Sequence, residues 1–95
     1  MADVSIISPL AGSTVLRFFV ATGTATAAPA VVLENSTGAT IANGAVAFAN
    51  TNWVAAFAVA NDYTNTTLVA ILGNDEAAES NITVSGPNII GAFPI

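Results

Sequence analysis

The stretch WVAAFAVANDYTNTTLVAILGN, residues 53–74, sets two apolar runs either side of a short polar interruption, and both are apolar at odd and even positions. A half-buried strand alternates apolar and polar side chains, because successive Cβ atoms point to opposite sides of the sheet. Here Trp53, Ala55, Phe57 and Val59 alternate with Val54, Ala56 and Ala58, so little in the segment prefers water. One parity faces a core and the other needs a cover of its own. The expectation is that WVAAFAV and TLVAIL expose an apolar patch, which packs against another copy or against the body that displays it.

Outward from this stretch, short β-type runs recur, each closed by turn residues. They are VSII before Ser8-Pro9, TVLRFFVATG, AVVLEN before Ser36-Thr37-Gly38, ATIA before Asn43-Gly44, AVAFAN, WVAAFAV, TLVAIL before Gly73-Asn74, and NITV before Gly86-Pro87. That predicts an all-β sandwich of about seven or eight antiparallel strands. Asn43-Gly44 predicts a tight type I′ hairpin, since both central residues of that turn need positive φ. Alanine is the best helix former, and AVAFANTNWVAAFAVA can be drawn as a helix. Asn50, Thr51 and Asn52 interrupt it, and the flanking valines and aromatics favour two strands. NDEAAES, residues 74–80, reads as a solvated turn or a single helical turn. The expected core is Phe18 or Phe19 with Val32, Phe48, Trp53, Phe57, Leu68 and Ile82.

The chain has 95 residues, enough for one domain to bury a core without disulfides or a metal. It has no cysteine, and its formal charge of −5 comes from six carboxylates against one base, Arg17. Nucleic acid is excluded as a partner, because phosphate recognition needs clustered lysine and arginine. Docking on anionic lipid fails for the same reason. No apolar run approaches the roughly 18 residues of a membrane-spanning helix, so membrane insertion is not expected. Charged residues are only 7% of the chain, which leaves a neutral, partly apolar surface. The start MADVSIISPLAG is acidic and interrupted by Pro9, unlike a secretory signal; the chain is used without secretion or begins after a removed signal.

The order of these pieces resembles the bacterial immunoglobulin-like modules, of the Big and fibronectin-like kind, found in surface and virion proteins. SPLAGSTV, FFVATGTAT, NSTGATIANGAVAF, NWVAAFAV, YTNTTLVAILGN and ESNITVSGP carry the resemblance, over roughly residues 4–86. The paired cysteines of antibody domains are missing, and Tyr63 stands as a loosely spaced tyrosine-corner residue. The resemblance implies a non-enzymatic spacer, adhesion or decoration module on a virion or cell surface. It divides the chain into an immunoglobulin-like sandwich, residues 1–86, and an apolar C-terminal extension, residues 87–95.

Catalysis is not expected: histidine, cysteine and lysine are absent, so the many Ser and Thr hydroxyls have no neutral-pH base to activate them. No cofactor is implied. Asn74, Asp75, Glu76 and Glu79 offer hard oxygens to calcium but match no ligand pattern, so no metal site is assigned. Trp53 and Tyr63 raise the alternative of a carbohydrate-binding or adhesion module, since aromatics stack on sugars; core packing is the simpler role for Trp53. Three N-glycosylation sequons begin at Asn35, Asn65 and Asn81, with turn propensity the better explanation of the first two. The tail NIIGAFPI is uncharged, and its Ile89, Ile90, Phe93 and Ile95 join Val54, Ala56 and Ala58 as the expected interface. It either adds an edge strand to its own domain or docks onto a neighbouring subunit. The expected partner is another copy or a larger structural assembly, with carbohydrate as the alternative.

Overall fold

Residues 3–86 are described in this computed structural model, and every regular element among them is a β-strand. They are β1 (Val4–Ser8), β2 (Thr14–Val15), β3 (Phe18–Ala25), β4 (Ala30–Glu34), β5 (Thr40–Asn43), β6 (Ala45–Ala49), β7 (Asn52–Ala58), β8 (Tyr63–Leu72) and β9 (Asp75–Val84). One sheet has the order β1-β3-β7-β6 and the other β2-β9-β8-β4-β5. Nine strands stand where seven or eight are expected from sequence, because TVLRFFVATG divides at Leu16-Arg17 and sends β2 and β3 into different sheets. The second sheet is mixed, since β2 runs parallel to β9 through Thr14 opposite Thr83 and Val15 opposite Val84. The expected extension, residues 87–95, lies outside the described residues.

The two sheets share one core. In β7 the alternation runs as its sequence suggests, with Trp53, Ala55 and Phe57 fully buried and Val54 and Ala58 exposed. Phe19 and Phe57 are opposite each other in register and stack with ring centroids 4.9 Å apart. Leu68, Ala70, Ile82 and Val84 close the core from the second sheet, with Val31 and Leu33 of β4. The expected core is resolved at one alternative, Phe18 or Phe19, and corrected at two positions. Phe19 is the core phenylalanine while Phe18 points out; β4 turns Val31 and Leu33 inward and leaves Val32 half-buried; Phe48 is only half-buried because β6 lies at the edge of its sheet.

Trp53 is the largest side chain in the core and has no exposed surface. Its ring lies over Gly23, its partner in the β3–β7 register. A Cβ at Gly23 would collide with Ser5 O and with the indole, so no other residue fits without moving backbone. The indole N–H is shared between Ser5 O and Thr24 O, 3.2 Å from each, which satisfies the one polar atom the ring brings inside. Burying 150–250 Å² of such a side chain is worth roughly 4–6 kcal/mol at about 25 cal/mol per Å².

The turns differ from the sequence expectation in an informative way. The residue pair with positive φ at both positions is Asn50-Thr51, at 52° and 66°, and it closes β6 onto β7. Asn43-Gly44 makes no hairpin, since β5 and β6 lie in different sheets. There the chain crosses the open side of the sandwich, Gly44 N donates to Val31 O at 2.8 Å, and a Cβ would meet the Phe57 ring at 2.9 Å. NDEAAES is neither turn nor helix beyond its first residue: residues 75–80 are the first half of β9, paired with β8 from Leu72–Asp75 to Leu68–Glu79.

Two bulges interrupt the β8–β9 ladder. Between Leu68–Glu79 and Thr66–Ile82 the extra residue is on β9, and between Thr66–Ile82 and Tyr63–Val84 it is on β8. Asn81 and Asn65 take positive φ there, 57° and 56°, a conformation asparagine tolerates better than other side-chain-bearing residues. Thr66 sits between the bulges, fully buried, and its hydroxyl donates to Ile82 O at 2.6 Å. Each bulge reverses the strand's parity, so β9 turns odd positions inward up to Glu79 and even ones, Ile82 and Val84, beyond.

Replacing Gly23 with Ala is expected to cost about 3 kcal/mol or more, at or above the usual overpacking range, because backbone rather than a flexible side chain must yield. Chemical denaturation checks it, and a loss under 1 kcal/mol would mean that Trp53 is not held against that backbone. At Asn81, Gly is expected to be neutral within about 0.5 kcal/mol and Val to cost about 1–2 kcal/mol. Equal effects of the two would rule out the left-handed bulge.

Candidate interaction surface

The outer face of the β1-β3-β7-β6 sheet is built from the residues that alternate with the core. Across the sheet, Phe18 stands opposite Ala58; Val20, Ala56 and Ala45 form the next row; then come Ser8, Thr22, Val54 and Ala47; then Ser5, Thr24, Asn52 and Ala49. The face is apolar at the Phe18 end and hydroxyl- and amide-bearing at the other, where the Ser5 and Thr24 hydroxyls lie 2.6 Å apart. Phe18 is 70% exposed, Val20 49% and Val54 43%. None of the four strands carries an ionisable residue, and Asn35 to Asn61, which contains β5, β6 and β7, is free of charge throughout. Of the expected interface residues, Val54, Ala56 and Ala58 lie together here; Ile89, Ile90, Phe93 and Ile95 lie outside the described residues. Sequence reasoning missed Phe18 and Val20, although the parity of FFVATGTA, with Ala21 and Gly23 as small inward residues, carries that signal.

Among the described residues the second sheet presents no equivalent. On its outer face Val69 is only 5% exposed between Val32 and Ala78, and Glu34 and Glu76 stand in neighbouring rows. The surplus apolar parity of TLVAIL is therefore largely covered within the chain.

The acidic residues are held apart. Glu76 projects from the face of β9 opposite to Asp75 and Glu79. Asp75 Oδ2 accepts from Asp3 N at 3.1 Å and Glu79 Oε1 from Ala11 N at 2.8 Å, so two of the carboxylates tie the N-terminal segment to β9. Among the described residues no three metal-ligating side chains come together.

The sugar platform is not assembled either. Trp53 is buried and offers no face to a ligand, while Tyr63, half-buried at the start of β8, borders an open depression of about 290 Å³ lined also by Asp62, Thr64, Thr83, Val84 and Ser85. All three sequon asparagines have structural roles. Asn65 and Asn81 are the bulge residues, and Asn35 Oδ1 accepts from Thr37 N, Thr37 Oγ1 and Ala39 N to shape the β4–β5 turn.

Arg17 occupies the crossing from β2 to β3. Its Nε donates to Asp62 Oδ1 at 2.8 Å, the same oxygen accepts from Gly86 N, and Arg17 O accepts from Val59 N at 2.7 Å. The sole cation thus joins three segments beside Phe18. Comparison with protein-family models, with curated proteins and with solved structures gives no match.

The Arg17 guanidinium, and after it the Gly86 N–H, holds the Asp62 carboxyl below the usual aspartate range. A carboxyl whose pKa is lower folded than unfolded contributes fully above the unfolded value, and the contribution is lost as pH falls through the folded one. The window therefore lies on the acid side of about pH 4. Asp62→Asn is expected to lower the melting temperature slightly at pH 7, as suits an exposed pair, with the gap to the unmodified protein closing as pH falls through the lowered pKa. A gap that persists unchanged at low pH would contradict the pairing.

Proposed function

We propose that this chain is a non-enzymatic structural subunit, an immunoglobulin-like sandwich that assembles into or decorates a virion or bacterial surface structure. The strand order supports the fold part of this reading. With the two short strands β2 and β5 set aside, β1-β3-β7-β6 and β9-β8-β4 follow the same strand order as a seven-stranded immunoglobulin sandwich, four strands against three, which supports this reading. Tyr63 opens β8, where a tyrosine corner belongs, but among the described residues its hydroxyl makes no hydrogen bond. The reading of the fold rests on connectivity.

One observation carries the functional part: the outer face of the four-stranded sheet is uncharged and, at its Phe18 end, apolar, while every carboxylate lies elsewhere. Soluble proteins rarely leave a contiguous apolar face of several hundred Å² to water unless it is an interaction surface. Attachment is also a role that needs no titrating side chain, which suits a chain without histidine, cysteine or lysine. The carbohydrate alternative is weaker, because Trp53 is in the core and only Tyr63 remains for a ring to stack on.

Sedimentation of the protein between about 10 μM and 1 mM tests this. The weight-average mass is expected to rise with concentration and to be lower at each concentration, without needing to reach the monomer value, when Phe18→Asp and Val20→Asp are combined. These exposed positions should change stability by no more than about 0.5 kcal/mol each. A double variant that associates as the unmodified protein does would remove the face from the account.

A further inference from the structure

We infer that β6 is a self-pairing edge: two copies of this chain join β6 to β6 antiparallel about a twofold axis, fusing their four-stranded sheets into one of eight strands. The inference deepens the proposed function by naming the partner as a second copy. It rests on that reading only in taking the chain to be an interaction module.

Edge strands offer unpaired N–H and C=O groups, and proteins blunt them by shortness, charge, proline or bulges. Three of the four edges here are blunted. β2 has two residues, β1 is bulged between Ile6 and Ser8, and β5 is bulged at Ile41, where Ala42 pairs with Leu33 and Thr40 with Glu34. β6 has five residues in unbroken register with β7, from Ala45 opposite Ala56 to Ala49 opposite Asn52, and contains neither charge nor proline. Among the described residues no strand lies on its other side.

Among the described residues the core is also incomplete along this side. Ile41 of β5 and Val46 and Phe48 of β6 pack against the buried cluster yet remain only partly buried. A second copy would cover them. The sequence Ala45-Val46-Ala47-Phe48-Ala49 suits its own antiparallel image. Centred on Ala47, the pairing sets Ala45 against Ala49 and Val46 against Phe48, keeps inward residues inward, and places only alanine methyls on the outer side of the seam. Two chains of charge −5 repel, but β6 and the strands β5 and β7 that flank it in the chain carry no carboxylate. The twofold axis would also set the two uncharged outer faces side by side, doubling the surface already described.

The test exploits the axis. Ala47 is exposed and would face its own copy, so Ala47→Lys and Ala47→Glu each place like charges opposite one another. Both changes are made on the Phe18→Asp, Val20→Asp background, where association through the outer face is removed. The background protein is expected to dimerise. Each Ala47 variant alone is expected to weaken the dimer at least tenfold with its melting temperature retained, and an equimolar mixture of the two is expected to restore dimerisation as a heterodimer. Either of two results would overturn the seam: a background protein that stays monomeric at 1 mM, or a mixture that associates no better than its components. Both leave the outer-face reading untouched, because that reading is judged by the unmodified protein against the background variant.

Discussion

The placement of Trp53 against Gly23 is the constraint on which the rest depends. A ring of that size enters the sandwich only where the facing strand has no side chain, and its N–H stays satisfied only where two carbonyls, those of Ser5 and Thr24, converge. Once β7 is anchored in that parity, every second residue is assigned. Phe57 stacks on Phe19, Ala55 packs beneath, and Val54, Ala56 and Ala58 are sent outward with Phe18 and Val20 opposite. The apolar outer face is thus a consequence of the core register, not an independent feature. A one-residue slip would bury it and expose the tryptophan.

The two sheets manage apolar surplus differently. In the second, two bulges change which parity of β8 and β9 faces inward, with the Thr66 hydroxyl on Ile82 O sealing the stretch between them. In the first, β3, β6 and β7 pair without interruption, so no such adjustment occurs. The carboxylates follow the same division. They are on β4, β9 and the connecting segments, where Asp75, Glu79 and Asp62 accept main-chain N–H groups, and none stands on the uncharged sheet.

Much of this was readable from local pattern. The parity of WVAAFAV, the succession of short runs and the scarcity of charge point to an all-β chain with an apolar outer face. What escaped depends on contacts distant in sequence. Asn43-Gly44 has the better turn chemistry, yet its glycine serves close passage over Phe57, and the tight turn falls to Asn50-Thr51. Leu16-Arg17 divides an unbroken β-type run because Arg17 is fixed to Asp62 and Val59 from another connection. The polar run after Asn74 is a strand because Leu68 to Leu72 supply its partner. Of the candidate surface, Val54, Ala56 and Ala58 were legible, whereas the open side with Val46 and Phe48 required knowing that β6 is an edge.

The central claim is that the uncharged sheet is completed by another copy, and residue-resolved hydrogen exchange as a function of protein concentration tests it most directly. The Trp53 indole N–H, bonded within the chain, should exchange slowly and at a concentration-independent rate. The β6 amides directed away from β7 should gain protection as concentration rises through the association range. Exchange of those amides that stays fast and constant while the protein demonstrably associates would contradict the claim.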